Sequence, residues 1–276
     1  MCYHVAFTVK LESILDYFPD VVVDDQLDIE FPSAQYLNGF NHDMTPVMVL
    51  GRKDGKKHLA KMMWGFLPPY ITNMEAAIKF WNGYKDENGK WITGYSTLNA
   101  IGEEMFDKRL FKDAALTKRC VIFTDGFYEW RHVYPLNKKT GQPLKTALKY
   151  PYHIKLKAER LIMMAGIWTP WKHTEIDKTT GEVLEMVTPT YAIVTTKANA
   201  LMAQVHNSKM RMPTILTKEL AEEWLQPDLS QERILEIAAY QYPAEKMEAY
   251  TVEKGFQDAL DPRMQHEYPD LPAIVC

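Results

Sequence analysis

A cysteine at position 2, directly behind Met1, places an unusual pair of groups on one residue once Met1 is removed. The exposed residue carries a free α-amine and a thiol on adjacent carbons. The amine titrates near ~8, far below lysine at ~10.4, so part of it is unprotonated at neutral pH. A thiol is the strongest common nucleophile in proteins. The pair suits attack on a carbonyl: the amine forms a Schiff base, then the sulfur closes a five-membered thiazolidine ring. Three other residues could serve such a reaction. Glu129 lies among aromatics in Phe127-Tyr128-Glu129-Trp130, and a carboxyl in an apolar wall has a raised pKa and can donate a proton near neutrality. His206, in Ala203-Gln204-Val205-His206-Asn207, suits proton shuttling. Asn99, in Ser96-Thr97-Leu98-Asn99-Ala100, could hold an amine or hydroxyl through its amide. Each also has a plainer role: a loose terminus, a strand-end glutamate facing solvent, a structural histidine, a turn or cap asparagine.

Two more residues suggest contact with a strand of nucleic acid. Trp64, before Gly65, offers a stacking face or, as most tryptophans do, core packing. Arg211 could bind phosphate or simply be exposed. Cys120, in an apolar run, reads as a buried structural thiol. Cys276 invites no functional reading. Three scattered cysteines are too few for a disulfide framework or a zinc site, and a metal site built from Cys2, His4 and His206 lacks a compact ligand pair. No cofactor is expected.

The elements that must position these residues are short. Val47–Leu50 and Leu59–Met63 read as strands joined by Lys53-Asp54-Gly55-Lys56. The spacing of Ala76, Ala77, Phe80 and Trp81 predicts a helix over Glu75–Tyr84, and Glu103–Ala115 reads as another. Cys120–Phe123 is a strand ending at the Asp125-Gly126 bend. Tyr152–Lys157 pairs with Leu161–Trp168; Tyr191–Thr195 and Thr214–Leu216 are strands, and Ala198–Gln204 is a short helix. Thr217 caps a helix over Lys218–Leu225, and Ser230 caps one over Gln231–Ala239. Segments 135–150 and 172–188 read as surface insertions with hairpin chemistry. Many short strands without a βαβ rhythm indicate an α+β fold: one domain, 2–276, around a mostly antiparallel, barrel-like sheet with short flanking helices, closed by an acidic helical part over 217–276.

Composition agrees with a globular chain. It has 276 residues, 46% hydrophobic and 12% aromatic, enough for a substantial core. No apolar run approaches the ~20 residues of a membrane span, and the N-terminus lacks a signal pattern, so the expected setting is the cytoplasm. The net charge of −4 argues weakly against nucleic acid. Residues 219–276 nevertheless carry 13 acidic and 4 basic side chains, leaving a balance of +5 on residues 1–218. A phosphate-binding face could lie in that first part.

Taken in order, these signals form a pattern. Met1-Cys2, Trp64-Gly65-Phe66-Leu67-Pro68, Asn99-Ala100, Arg119-Cys120, Asp125-Gly126-Phe127-Tyr128-Glu129-Trp130, Ala165-Gly166-Ile167-Trp168, Thr195-Thr196-Lys197-Ala198-Asn199, His206 and Arg211-Met212-Pro213 closely resemble the SRAP family (SOS-response-associated peptidase), the abasic-site processing proteins. The likeness runs from Cys2 to about Leu216, with a familiar stretch at Asp258–Asp261. The resemblance implies a DNA-damage protein that binds single-stranded DNA and captures the aldehyde of an abasic site as a thiazolidine on Cys2. It implies Glu129 as acid/base, His206 as a second proton-transfer group, Asn99 as a positioning residue, and a self-processing peptidase activity that removes Met1. It places DNA contacts on Trp64, Gly65, Pro68, Thr195, Thr196, Arg211, Met212 and Pro213. The expected partner is single-stranded DNA with abasic sites, the expected state a monomer that joins the nucleoid when engaged. The chain departs from the family pattern at Tyr3-His4, where Gly-Arg is usual, at Ile101, where an arginine is usual, and in two extra residues between His206 and Arg211. Lys197 or Lys209 could restore the lost charge. Two other readings compete: an N-terminal-nucleophile peptidase or amidase, and a non-catalytic single-strand-binding module.

Overall fold

A computed structural model describes residues 2–23 and 35–274. Met1 and Cys276 lie outside the described residues. Five strands close on themselves: Met44–Leu50, Lys57–Trp64, Arg119–Thr124, Ile162–Ile176 and Val183–Lys197. Four of the pairings around this barrel are antiparallel. The fifth is parallel and sets Thr190 against Met63 and Tyr191 against Trp64. Closure removes exposed strand edges and fills the interior with side chains. The architecture is thus the expected mixed fold, built mostly from antiparallel strands in a closed barrel with few helices. Arg119–Thr124 is buried at every position, which is why it reads as a continuous apolar run rather than an alternating one.

A second, wholly antiparallel sheet carries the N-terminus. Its order is Met247–Thr251, Leu148–Leu156, Gly126–Val133, His4–Ala6, Tyr36–Asn38. The bend at Asp125-Gly126 carries the chain from barrel to second sheet. The register sets His4 opposite Tyr128 and Val5 opposite Phe127, so the residues before His4 lie near Glu129. Both faces of Gly126–Val133 are covered. Phe127 packs with Val5 and Cys2 in the main core, while Tyr128 packs with Phe256 and Trp130 on the other side.

The helices sit where caps place them. Asn73, Asn199, Thr217 and Ser230 each accept a backbone N–H from the first turn of the helix they precede. Those helices cover Met74–Asn82, Ala200–Val205, Lys218–Trp224 and Gln231–Ala238, close to expectation. The helix expected over Glu103–Ala115 forms only at its end, as Lys112–Thr117. Glu103 is instead drawn to the Val183–Lys197 strand, where its carboxylate accepts from Arg211 and from the Lys197 N–H. The C-terminal part is helical to Ala238. Beyond it, Met247–Thr251 forms an edge strand of the second sheet. Segment 172–188 is the far, largely exposed end of a hairpin whose strands run on from the barrel wall.

Candidate active site

Cys2, Asn99, Glu129 and His206 come from four distant points in the chain and meet beside the N-terminal strand. Cys2 has no exposed surface. Asn99 opens the short strand Asn99–Ile101, which pairs in parallel with Ile193–Thr195. Its Nδ2 donates to the Cys2 carbonyl at 2.8 Å. Its Oδ1 is buried and has no partner among the described residues, so an acceptor stands ready beside Cys2. Glu129 is 5% exposed and shares the Phe127 side of its strand, facing the core that holds Cys2.

His206 follows the helix Ala200–Val205 and closes its last turn through its own N–H to Met202. Its Nδ1 lies 2.8 Å from the Arg211 carbonyl and 3.6 Å from Glu129 Oε1. A carbonyl can only accept, so Nδ1 carries the proton and Nε2 is left basic. The neighbouring Asn207 fixes this arrangement. Its Oδ1 accepts from the His132 N–H at 2.9 Å and its Nδ2 donates to the His132 carbonyl at 2.8 Å. The loop bearing His206 is therefore pinned to the strand bearing Glu129. Sequence reasoning missed Asn207; its place directly after His206 was the available signal. The two extra residues before Arg211 are absorbed in a turn in which Met210 adopts φ 55° and donates its N–H to His206.

Burial dominates the electrostatics. It raises the Glu129 carboxyl from 4.5 to about 7, and it lowers His206 from 6.5 to about 4. It also pushes the Cys2 thiol far above its usual range, with the Glu129 charge adding in the same direction. Glu129 and His206 are adjacent yet burial favours the neutral form of each, so the contact is not an ion pair. A carboxyl balanced near pH 7 can both give and take a proton.

The residues on which DNA contacts were expected are placed differently. Trp64 is 1% exposed and its indole N–H donates to Leu98 at 3.0 Å. It packs in the barrel beside Tyr191 and offers no open stacking face. Gly65 and Pro68 are buried next to it. Thr195, Thr196 and Met212 are buried, as is Pro213. Arg211 makes a two-point pair with Glu103, at 3.1 and 2.8 Å, and also donates to Thr195. That guanidinium holds two strands and a loop together. The stacking and phosphate roles read from residue type thus give way to packing and ion pairing at Trp64 and Arg211. Cys120 is a fully buried thiol. Among the described residues no three His, Cys, Asp or Glu side chains gather as a metal site, and no helix is long and apolar enough to cross a membrane.

Comparison with known proteins gives a consistent result. The family model "SOS response associated peptidase (SRAP)" matches residues 1–258. The chain is 32% identical over 241 residues to the abasic site processing protein YoqW of Bacillus subtilis (strain 168), covering 87% of this chain and 90% of that one. It is 27% identical over 196 residues to the abasic site processing protein YedK of Escherichia coli (strain K12), covering 71% and 67%. A crystal structure of a protein from Bacteroides thetaiotaomicron superposes with a TM-score of 0.73 at 26% identity, covering 96% of this chain and all of that one.

Proposed function

The chain belongs to the SRAP family, and from that premise we propose that it captures abasic sites in single-stranded DNA as a covalent thiazolidine on Cys2. The observation that carries this reading is the convergence of Cys2, Asn99, Glu129 and His206 from four separate segments into one buried cluster. An aminothiol there needs a proton donor and acceptor beside it, and Glu129 is tuned for both.

The chemistry runs without any external reagent. Nε2 of His206 takes the proton of the anomeric hydroxyl and returns it to the ring oxygen as the C1′–O4′ bond breaks, so the aldehyde forms and the imidazole is neutral again. The amine of mature Cys2 adds to that carbon to give a carbinolamine. Glu129 in its acid form protonates the departing hydroxyl, water leaves, and a Schiff base remains. Glu129, now a carboxylate, accepts the Sγ–H proton as sulfur adds to the imine carbon. The ring closes and Glu129 is restored to its acid form. The raised thiol pKa suits this order, because the proton leaves only as the carbon–sulfur bond forms. Asn99 holds the Cys2 carbonyl and offers its free oxygen to the amine or a sugar hydroxyl.

The reading requires loss of Met1, and self-processing by the same nucleophile is part of the proposal. With Arg211 engaged by Glu103, exposed Lys197, opposite Arg211 in the strand pair, and exposed Lys209, within the His206–Arg211 turn, supply charge for the DNA backbone. The test is a uracil-containing strand treated with uracil glycosylase, incubated with protein whose mass shows Cys2 as first residue, and run on a denaturing gel. A shifted band that resists heat supports the reading; an unshifted strand overturns it.

A further inference from the structure

A second polar cavity lies at the other end of the N-terminal strand, where the Cys2 chemistry has no use for it. It encloses about 760 Å³ between the Asp125 bend, the end of Leu148–Leu156 and the segment near Arg263. Its carboxylates are all engaged. Asp125 accepts from the Thr8 N–H at 2.9 Å, from the Thr8 hydroxyl, and from Arg263 at 3.1 Å. Asp261 pairs with Arg263 at 3.3 Å, and Glu159 accepts from the Tyr242 hydroxyl at 3.0 Å. Its cations are not all engaged. Lys155 pairs with Glu248, but Lys10, Lys157 and Arg160 are exposed and find no anionic partner among the described residues.

A buried group on the wall points to an occupant. His153 is 2% exposed, and neither of its ring nitrogens has a hydrogen-bond partner among the described residues. The Tyr128 hydroxyl beside it, with ring centroids 5.0 Å apart, is equally buried and equally unmatched. Burial lowers His153 to about 4, so the ring presents one N–H donor and one acceptor. Two such side chains left unmatched carry a substantial desolvation cost. Gly126 leaves room for this ring: a Cβ there would stand 2.2 Å from His153 Nε2. The Asp-Gly pair of the Asp125–Trp130 block thus shapes this cavity, while Glu129 serves the other site.

We propose that this cavity binds a phosphate group, with Lys157 and Arg160 supplying charge at its mouth and the His153 imidazole donating at its base. The phosphate could belong to a small phosphorylated molecule or to the backbone of a DNA strand. Both offer the same non-bridging oxygens to guanidinium, ammonium and imidazole donors.

The imidazole nitrogen resonances of His153 report on occupancy. The full chain is titrated separately with inorganic phosphate, a deoxynucleoside 5′-monophosphate and oligothymidine lacking abasic sites. We expect a saturable displacement of the His153 resonances, with those of His206 unmoved by the two small phosphates. Charge reversal of the exposed pair, Lys157→Glu with Arg160→Glu, weakens it by about tenfold or more, the loss of at least one charge-assisted hydrogen bond. A response to the small phosphates assigns a phosphorylated metabolite-sized ligand; a response to the oligonucleotide alone assigns the strand backbone. No displacement by any probe, or displacement undiminished in the double variant, overturns the proposal. The inference stands apart from the Cys2 chemistry, since the titration on Cys2→Ala is expected to match wild type.

Discussion

Glu129 and Asp125 stand four residues apart on one run of chain, yet their surroundings make opposite use of a carboxyl group. At Asp125 an arginine arrives at 3.1 Å and a threonine donates to the same carboxylate, so the group is matched by its partners. Around Glu129 the wall is apolar, the neighbouring histidine is itself driven neutral, and the carboxyl rises to about 7. One environment uses the carboxylate as a strut. The other buries the carboxyl and raises it, which suits the proton-donor role proposed for it. Ion pairing at one carboxyl and desolvation at the other separate the two.

The largest expected effect falls on the reactive end. Cys2→Ala abolishes the heat-stable crosslink, while in the variant freed of Met1 by an added aminopeptidase a borohydride-trappable Schiff base persists because the α-amine of residue 2 remains. A denaturing gel with and without borohydride separates the two species. Glu129→Gln slows crosslinking by about 10²–10⁴-fold, the usual weight of a general acid. It also removes the fall in wild-type rate as pH rises through about 7, where the acid form of Glu129 is lost.

The same substitution works in the other direction on stability. The folded-state pKa of Glu129 lies above its unfolded value, so the folded protein binds more protons and loses stability as pH climbs from 4.5 to about 7. At pH 8 Glu129→Gln should therefore stabilise the fold by up to about 3 kcal/mol, seen as a raised denaturation midpoint that vanishes near pH 4. A midpoint unchanged at pH 8 would mean that the carboxyl carries no such burial cost. Asn99→Ala removes the bond to the Cys2 carbonyl and should lower the crosslinking rate by about tenfold, read by quenched-flow sampling. Asp125→Ala should act mainly on the fold. Losing its bonds to Thr8 and Arg263 costs about 2 kcal/mol in urea titration, with a smaller change in crosslinking rate than at Asn99. If Asp125→Ala instead matched Glu129→Gln in rate, the contrast between strut and proton donor would fail.

The chain announces much of this through local chemistry. Helix caps at Thr217 and Ser230 work because a hydroxyl meets an N–H within one turn. The buried strand around Cys120–Phe123 shows as an unbroken apolar run, and the Asp125-Gly126 bend interrupts it on schedule. Cys2, Asn99, Glu129 and His206 could be singled out by residue type and motif order. What these residues do for one another was not readable. Alternation along Phe127-Tyr128-Glu129-Trp130 cannot tell inside from outside, because both faces of that strand are covered. Whether Glu129 meets solvent or a core is decided by a terminal strand 120 or more positions away and by a helix that arrives much later.

Sequence by itself determined the short elements, their caps and the chemical repertoire, since each depends on neighbours within a few residues. Tertiary structure alone decided the allocation of roles. Trp64 became barrel core when Tyr191 paired beside it. Arg211 became a brace when Glu103 reached it. Asp125 became a strut when Arg263 reached it from 138 residues downstream, and the Glu129 carboxyl was raised by burial. Desolvation and charge pairing act across space, and only the folded chain sets those distances.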